Sequence, residues 1–248
     1  MQPAPAPDAA PSRGRFTIWS LLLRTARVWL RHLAVFTLVG LILDLPLVAI
    51  ELRGKFPQDD LAAAWLYLLL MWFIRILAIA CLSLGVLQSL AGHRPRLVEM
   101  LTTPARHLWP IFAVAGVYSV LTALGLTLIL PGLFVLVAGY LAIPAVVAEP
   151  DMGTEAALRR SFVLTDGHRV RLLVAFTILF GVEQLASMAA TWAMDGPLAS
   201  SRPAGVALMV VVDALLSGLT TCSFPVAYHD LRVEKGMSAP RVPTSTPV

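Results

Sequence analysis

Residues 108–148 read LWPIFAVAGVYSVLTALGLTLILPGLFVLVAGYLAIPAVVA, without a single charged side chain. As one helix, at ~1.5 Å per residue, this stretch would be about 60 Å long, twice the ~30 Å hydrocarbon core of a bilayer. Pro131-Gly132 interrupts it, because proline lacks a backbone donor and glycine tolerates a tight reversal. The pattern predicts two antiparallel spans, 108–130 and 133–148, turning at Pro131 and Gly132. Four more apolar segments of spanning length flank this hairpin, at 33–52, 62–90, 172–194 and 204–228. The expectation is an all-α polytopic membrane protein with six transmembrane helices in three hairpins.

Composition agrees with a membrane solvent. Hydrophobic residues make up 58%, charged residues 14%, and mean hydropathy is +0.78. A soluble domain is about a quarter charged, so this chain could not cover a soluble core. One membrane domain is expected over 16–236. A Pro/Ala-rich tail at 1–15 and a Pro/Ser/Thr-rich tail at 237–248 are expected to be disordered. The first apolar run begins late and is followed by no small-residue cleavage site, so it does not read as a secretory signal.

Of the 19 Lys and Arg residues, fifteen fall on one side of the predicted spans. Only Arg53, Lys55 and Arg202 fall on the other, and Arg75 lies within a span. The positive-inside rule then puts both termini in the cytoplasm. It also explains the pI near 9.5 without nucleic acid. Two amphipathic helices are expected to lie at the membrane surface. In 16–31, Arg24, Arg27 and Arg31 recur at helical spacing opposite Trp19, Leu22, Leu23, Ala26 and Leu30, with a bend near His32. In 154–166, Thr154 is the expected N-cap and Gly167 the terminator. There Arg159 and Arg160 would face headgroups while Leu158, Phe162 and Val163 dip inward. A weaker basic segment, 94–106, precedes the middle hairpin but contains Pro95 and Pro104.

Ionisable side chains inside spans are functional candidates by default. There are four: Asp44, Arg75, Glu183 and Asp213. They suit either a structural pair, Arg75 with Glu183 or with Asp213, or a polar path for an ion or substrate. Asp44 is placed nearer the outer surface than the other three. Thr220, Thr221, Ser217 and Gln184 read as polar contacts between helices. Pro46, Pro110, Pro144 and Pro225 are candidate kinks. Cys81 and Cys222 read as small buried hydrophobes. The five histidines are spread over separate membrane edges, so neither a metal site nor a cofactor is expected. The zinc-protease, nucleophile-elbow and phosphate-loop motifs are all missing, and no enzymatic activity is expected.

Leu130-Pro131-Gly132 leads into a span ending at Glu149. It is followed by Glu155-Ala156-Ala157-Leu158-Arg159-Arg160-Ser161-Phe162, then Leu164-Thr165 and Gly167. The last span closes on Tyr228-His229-Asp230-Leu231-Arg232. This pattern resembles a group of bacterial six-span proteins related to the YciC-like inner-membrane proteins and to the membrane domain attached to some glycerophosphoryl diester phosphodiesterases. The resemblance implies a bacterial inner-membrane location and marks Pro131, Gly132, Glu149, Ser161, Gly167, Asp230 and Arg232. It does not bring the phosphodiesterase activity, which resides in a separate barrel of about 250 residues. Arg24, Arg27, Arg31, Arg159, Arg160 and Arg169 are the expected contacts to anionic lipid headgroups, and Asp230 is expected to dock on the 154–166 helix. The leading expectation for function is a non-enzymatic structural or membrane-organising role, with an unidentified membrane-protein partner allowed. The alternative is a small transporter or lipid-handling protein using Arg75, Glu183 and Asp213.

Overall fold

A computed structural model describes residues 16–52, 60–195 and 202–237. The predicted tails, except Met237, lie outside these residues, as do Arg53 and Lys55. Ten helices are described: α1 Ile18–Arg31, α2 Leu33–Leu52, α3 Leu61–Leu90, α4 Leu97–Arg106, α5 Leu108–Leu126, α6 Leu130–Gly139, α7 Ala142–Ala148, α8 Thr154–Thr165, α9 Arg169–Asp195 and α10 Arg202–Glu234. No strand occurs among the described residues.

Six stretches are long and apolar enough to cross a membrane, with α6 and α7 together forming one of them. The chain is an all-α, multi-pass membrane protein. Its spans pack as three hairpins, α2 on α3, α5 on α6 and α9 on α10. Four exposed tryptophans support the assignment. Trp19 and Trp109 lie near the helix ends where arginines gather, and Trp65 and Trp192 near the opposite ends, as in the interfacial belts of membrane proteins.

Burial is concentrated in the arginine-rich half. Residues 80–88 of α3, all of α7 and residues 222–228 of α10 are buried without interruption, and these three helices touch one another. A helix apolar all round belongs in an interior, so these turns form the axis that the other helices wrap. Tyr140 closes the arrangement. Its ring stacks on Phe176 of α9 at 4.1 Å and meets Phe224 of α10 edge-on, also at 4.1 Å.

A short helix precedes each hairpin: α1, α4 and α8. The sequence suggested two, and α4 is a third. Its Pro104 comes late in the helix and is buried, like Met100, which sits against Gly85 of α3. The joints are alike. His32 after α1 and His107 after α4 adopt nearly the same backbone conformation, φ −122 and ψ 23 against φ −119 and ψ 33. Each donates its N–H back three residues, to Trp29 O and Pro104 O. The two joints carry the same tripeptide, Arg31-His32-Leu33 and Arg106-His107-Leu108.

Two local expectations are corrected. The reversal between the third and fourth spans is not at Pro131-Gly132 but just before it, at Thr127–Ile129, where Ile129 takes φ 56. Pro131 instead is the second residue of α6, in the first turn, where a missing N–H removes no intrahelical bond. Gly132 serves close packing: a Cβ there would lie 2.2 Å from Leu126 N and 2.4 Å from Gly125 C. In α8 the N-cap is Gly153 rather than Thr154. The face of α8 turned to the protein is Ala157, Ser161 and Leu164, while Val163 is exposed.

Of the four candidate kinks, Pro110 and Pro144 each stand third in a helix that follows a break, and the break that falls inside a span is the one before Pro144. The Pro144 ring opposes the carbonyl of Tyr140 four residues earlier, and α6 ends at Gly139. Ser161 repairs the gap: its Oγ accepts from Leu141 N at 3.1 Å and donates to Ala138 O at 2.5 Å. α2 and α10 continue through Pro46 and Pro225, and Pro110 lies in the first turn of α5.

Gly132→Ala should lower stability by about 1–3 kcal/mol or more, because the collision is with backbone. Gly116→Ala has open space around it and should be neutral or gain up to about 1 kcal/mol of helix propensity. Thermal denaturation of the two detergent-purified variants checks the contrast.

A charged cavity between four spans

The four intramembrane charges come from four different helices: Asp44 from α2, Arg75 from α3, Glu183 from α9 and Asp213 from α10. Each lies eleven or more residues from either end of its helix, except Asp44, which is eight from the end of α2. Arg75 Nη2 donates to Asp213 Oδ2 at 2.8 Å, so the open choice of partner falls to Asp213. The pair is not sealed: the two side chains remain 40% and 31% exposed. Glu183 and Thr220 line the same cavity, and both Asp44 and Glu183 lie within electrostatic range of Arg75.

Asp44, Arg75 and Glu183 line one cavity of about 320 Å³, with Gln184, Ser217, Thr220 and Thr221 on its walls. A smaller pocket of about 120 Å³ continues the polar zone on the α2 side and is lined by Asp44, Arg75 and Asp213. Asp44, which the sequence set apart nearer the surface, therefore belongs to the same cluster. The hydroxyl and amide side chains read as interhelical contacts turn out to be cavity lining. Their spacing gave a signal: Ser217, Thr220, Thr221 and Phe224 fall on one side of α10 three and four residues apart. Small residues create the space, with Gly40 of α2 facing Ala214 of α10, where a Cβ would be 3.6 Å from its neighbour.

Two carboxylates, Asp44 and Glu183, and the Arg75 guanidinium wall the larger cavity, while Asp213 lines the smaller pocket beside it. Ionisable side chains at this depth are costly to bury, which makes the cluster a candidate functional site. Among the described residues no group of three His, Cys, Asp or Glu side chains has metal-holding geometry.

The second set of singled-out residues gathers at the arginine-rich end. Glu149, just past α7, accepts from Arg160 of α8 at 3.3 Å and from Arg232 of α10. Arg232, almost fully buried, also donates to Tyr228 Oη at 2.7 Å. The end of α10 thus docks on α8 through Arg232 and Glu149. Asp230 does not perform this docking; it pairs with Arg24 of α1 at 2.6 Å. Gly167 has φ +80, the left-handed conformation of a helix terminator.

Of the six expected headgroup arginines, three are engaged internally. Arg24 pairs with Asp230 and Arg160 with Glu149. Arg169 pairs with Asp166 at 3.5 Å and lies over the Phe134 ring at 4.0 Å. Arg27, Arg31 and Arg159 are exposed, with no ion pair to another described residue.

His32 Nε2 meets Ser89 Oγ at 2.9 Å, joining the α1–α2 junction to the end of α3. Burial, and then the charge of Arg31, lower its pKa from 6.5. No family model, curated protein or solved structure matches the chain.

Removing Arg232 would leave Glu149 with Arg160 alone and Tyr228 without its donor. Arg232→Met should therefore destabilise the fold by roughly 3 kcal/mol, read as loss of thermal midpoint in detergent. For His32 the folded state favours the neutral ring. Its contribution is complete above pH 6.5 and is lost as pH falls through the lowered folded value. The thermal midpoint should drop as pH falls below 6.5, and His32→Gln should flatten that slope.

Proposed function

We propose that this chain is a small transporter or carrier for a cationic ligand, with Asp44, Arg75, Glu183 and Asp213 as its polar centre. The observation that carries this reading is the convergence of four ionisable side chains, from four spans, on two adjoining pockets that share Asp44 and Arg75. A purely structural ion pair needs neither the cavity nor the two further carboxylates. The two carboxylates that line the larger cavity suit a protonated amine or another small organic cation, with proton uptake at a carboxylate as the alternative. The Arg75–Asp213 bond does tie α3 to α10, and that contact supports a structural contribution beside ligand handling.

The setting we propose is a bacterial inner membrane with both termini in the cytoplasm. The uneven distribution of Lys and Arg supports the orientation. The resemblance to YciC-like six-span proteins supports the location, through the segment holding Glu149, Ser161, Gly167, Asp230 and Arg232. No catalytic motif was found in the sequence, and we propose a non-enzymatic role.

The test uses the purified full-length chain in lipid nanodiscs, with choline, ethanolamine and methylammonium as probes. At least one should raise the thermal midpoint, and Glu183→Gln should fold normally yet lose most of that shift. A wild-type chain that responds to none of the cations, nor to pH at this site, would sink the transport reading. Arg75→Leu separates the structural contribution. If it fails to accumulate while Arg75→Leu/Asp213→Leu accumulates and keeps cation binding, the pair is structural only.

A further inference from the structure

α1 presents three distinct faces. Leu21, Thr25 and Val28 form a buried stripe against the protein, where α1 touches α9 and α10. Trp19, Leu23 and Leu30 form a second, apolar stripe that is 68%, 48% and 61% exposed. Arg24, Arg27 and Arg31 form the third, also exposed. At about 100° per residue the arginine stripe stands between the buried stripe and the exposed apolar one.

The helix is held in place along its length. Arg171 of α9 donates to Phe16 O at 2.9 Å, just before α1, and the Phe16 ring meets His168 edge-on. Arg24 pairs with Asp230 of α10 at 2.6 Å, and His32, just after α1, meets Ser89 of α3. These contacts lie at the arginine-rich ends of three spans, so α1 crosses that end of the bundle. Its orientation is fixed by the protein before any lipid is considered.

We propose that α1 is a binding surface for anionic phospholipid headgroups, with Arg27 and Arg31 taking phosphate and Trp19, Leu23 and Leu30 seated among the upper acyl chains. A surface that is apolar on one side and cationic on the next matches the boundary between chains and headgroups. An acidic soluble protein would satisfy the arginines and leave the apolar stripe in water. The planar guanidinium suits a phosphate with two parallel hydrogen bonds. A leaflet with net negative charge adds an attraction that a zwitterionic one lacks, about fivefold in binding per arginine near the surface. Arg24 has its charge matched by Asp230, which leaves Arg27 and Arg31 to carry the selectivity. This inference does not depend on what the cavity binds.

The test places the full chain in nanodiscs of phosphatidylcholine with about 30% phosphatidylglycerol and measures which lipid is retained on extraction into detergent. The wild type should retain phosphatidylglycerol in excess, and Arg27→Gln/Arg31→Gln should lower that excess at least about fivefold. Both arginines are exposed, and an unchanged thermal profile confirms that the variant folds. Should it not, Arg27→Lys/Arg31→Lys provides the reading, expected to keep most of the excess. As a second measurement, brominated lipids should quench the emission that disappears in Trp19→Phe. Undiminished phosphatidylglycerol retention in the Gln variant overturns the proposal. So does an equal loss in Arg94→Gln/Arg96→Gln, which would assign the preference to rim charge in general. Absence of Trp19 quenching overturns it as well.

Discussion

Within a hydrocarbon layer no water can take up a stray N–H or C=O, so every interruption of a helix must be repaired by protein. The break between α6 and α7 is where this constraint shapes the molecule. Pro144 cannot donate to the Tyr140 carbonyl and the helix breaks there; the hydroxyl of Ser161 accepts from Leu141 N–H and donates to the Ala138 carbonyl on either side of the break. That repair draws α8 against the α6–α7 joint. Once α8 is there, Arg160 reaches Glu149, and Arg232 of α10 meets the same carboxylate. One unsatisfied turn thus organises the whole arginine-rich end.

The dense half of the bundle and the open half do different things. Continuous burial of α3, α7 and α10 on the arginine-rich side leaves little room for movement or ligand. Farther along α3 and α10 the packing loosens, and there Gly40, Ala214 and the hydroxyl residues leave the cavity around Arg75. With 33 residues, α10 is about 50 Å long and belongs to both halves. It carries Asp213 into the smaller pocket beside the cavity and Asp230 and Arg232 into the rim.

Much of this was legible in the sequence, for a simple reason. Span length and charge bias are properties of consecutive residues, and the bilayer imposes them one segment at a time. The α1–α2 bend at His32 followed from length alone, and the Gly167 terminator from local backbone preference. The sequence also repeats one tripeptide, Arg31-His32-Leu33 and Arg106-His107-Leu108, at equivalent joints. Pro104 misled, because a proline late in a ten-residue helix disturbs little when its ring is buried beside Met100. Pro131-Gly132 misled in detail. The glycine is required by the approach of Gly125 and Leu126, a contact between helices, and the reversal itself falls to Thr127–Ile129.

The charged residues show where reading along the chain stops. Sequence determined that Asp44, Arg75, Glu183 and Asp213 lie within spans, since each interrupts an apolar run. Only the tertiary structure decided that Arg75 bonds Asp213, that Asp44 joins them, and that Gln184, Thr220 and Thr221 face the same cavity. It likewise decided that Asp230 serves Arg24 while Glu149 takes Arg160 and Arg232. Depth in the membrane is set by counting residues along one helix. The choice of partner depends on the rotation of each helix about its own axis, and that rotation is fixed by packing among helices distant in the chain.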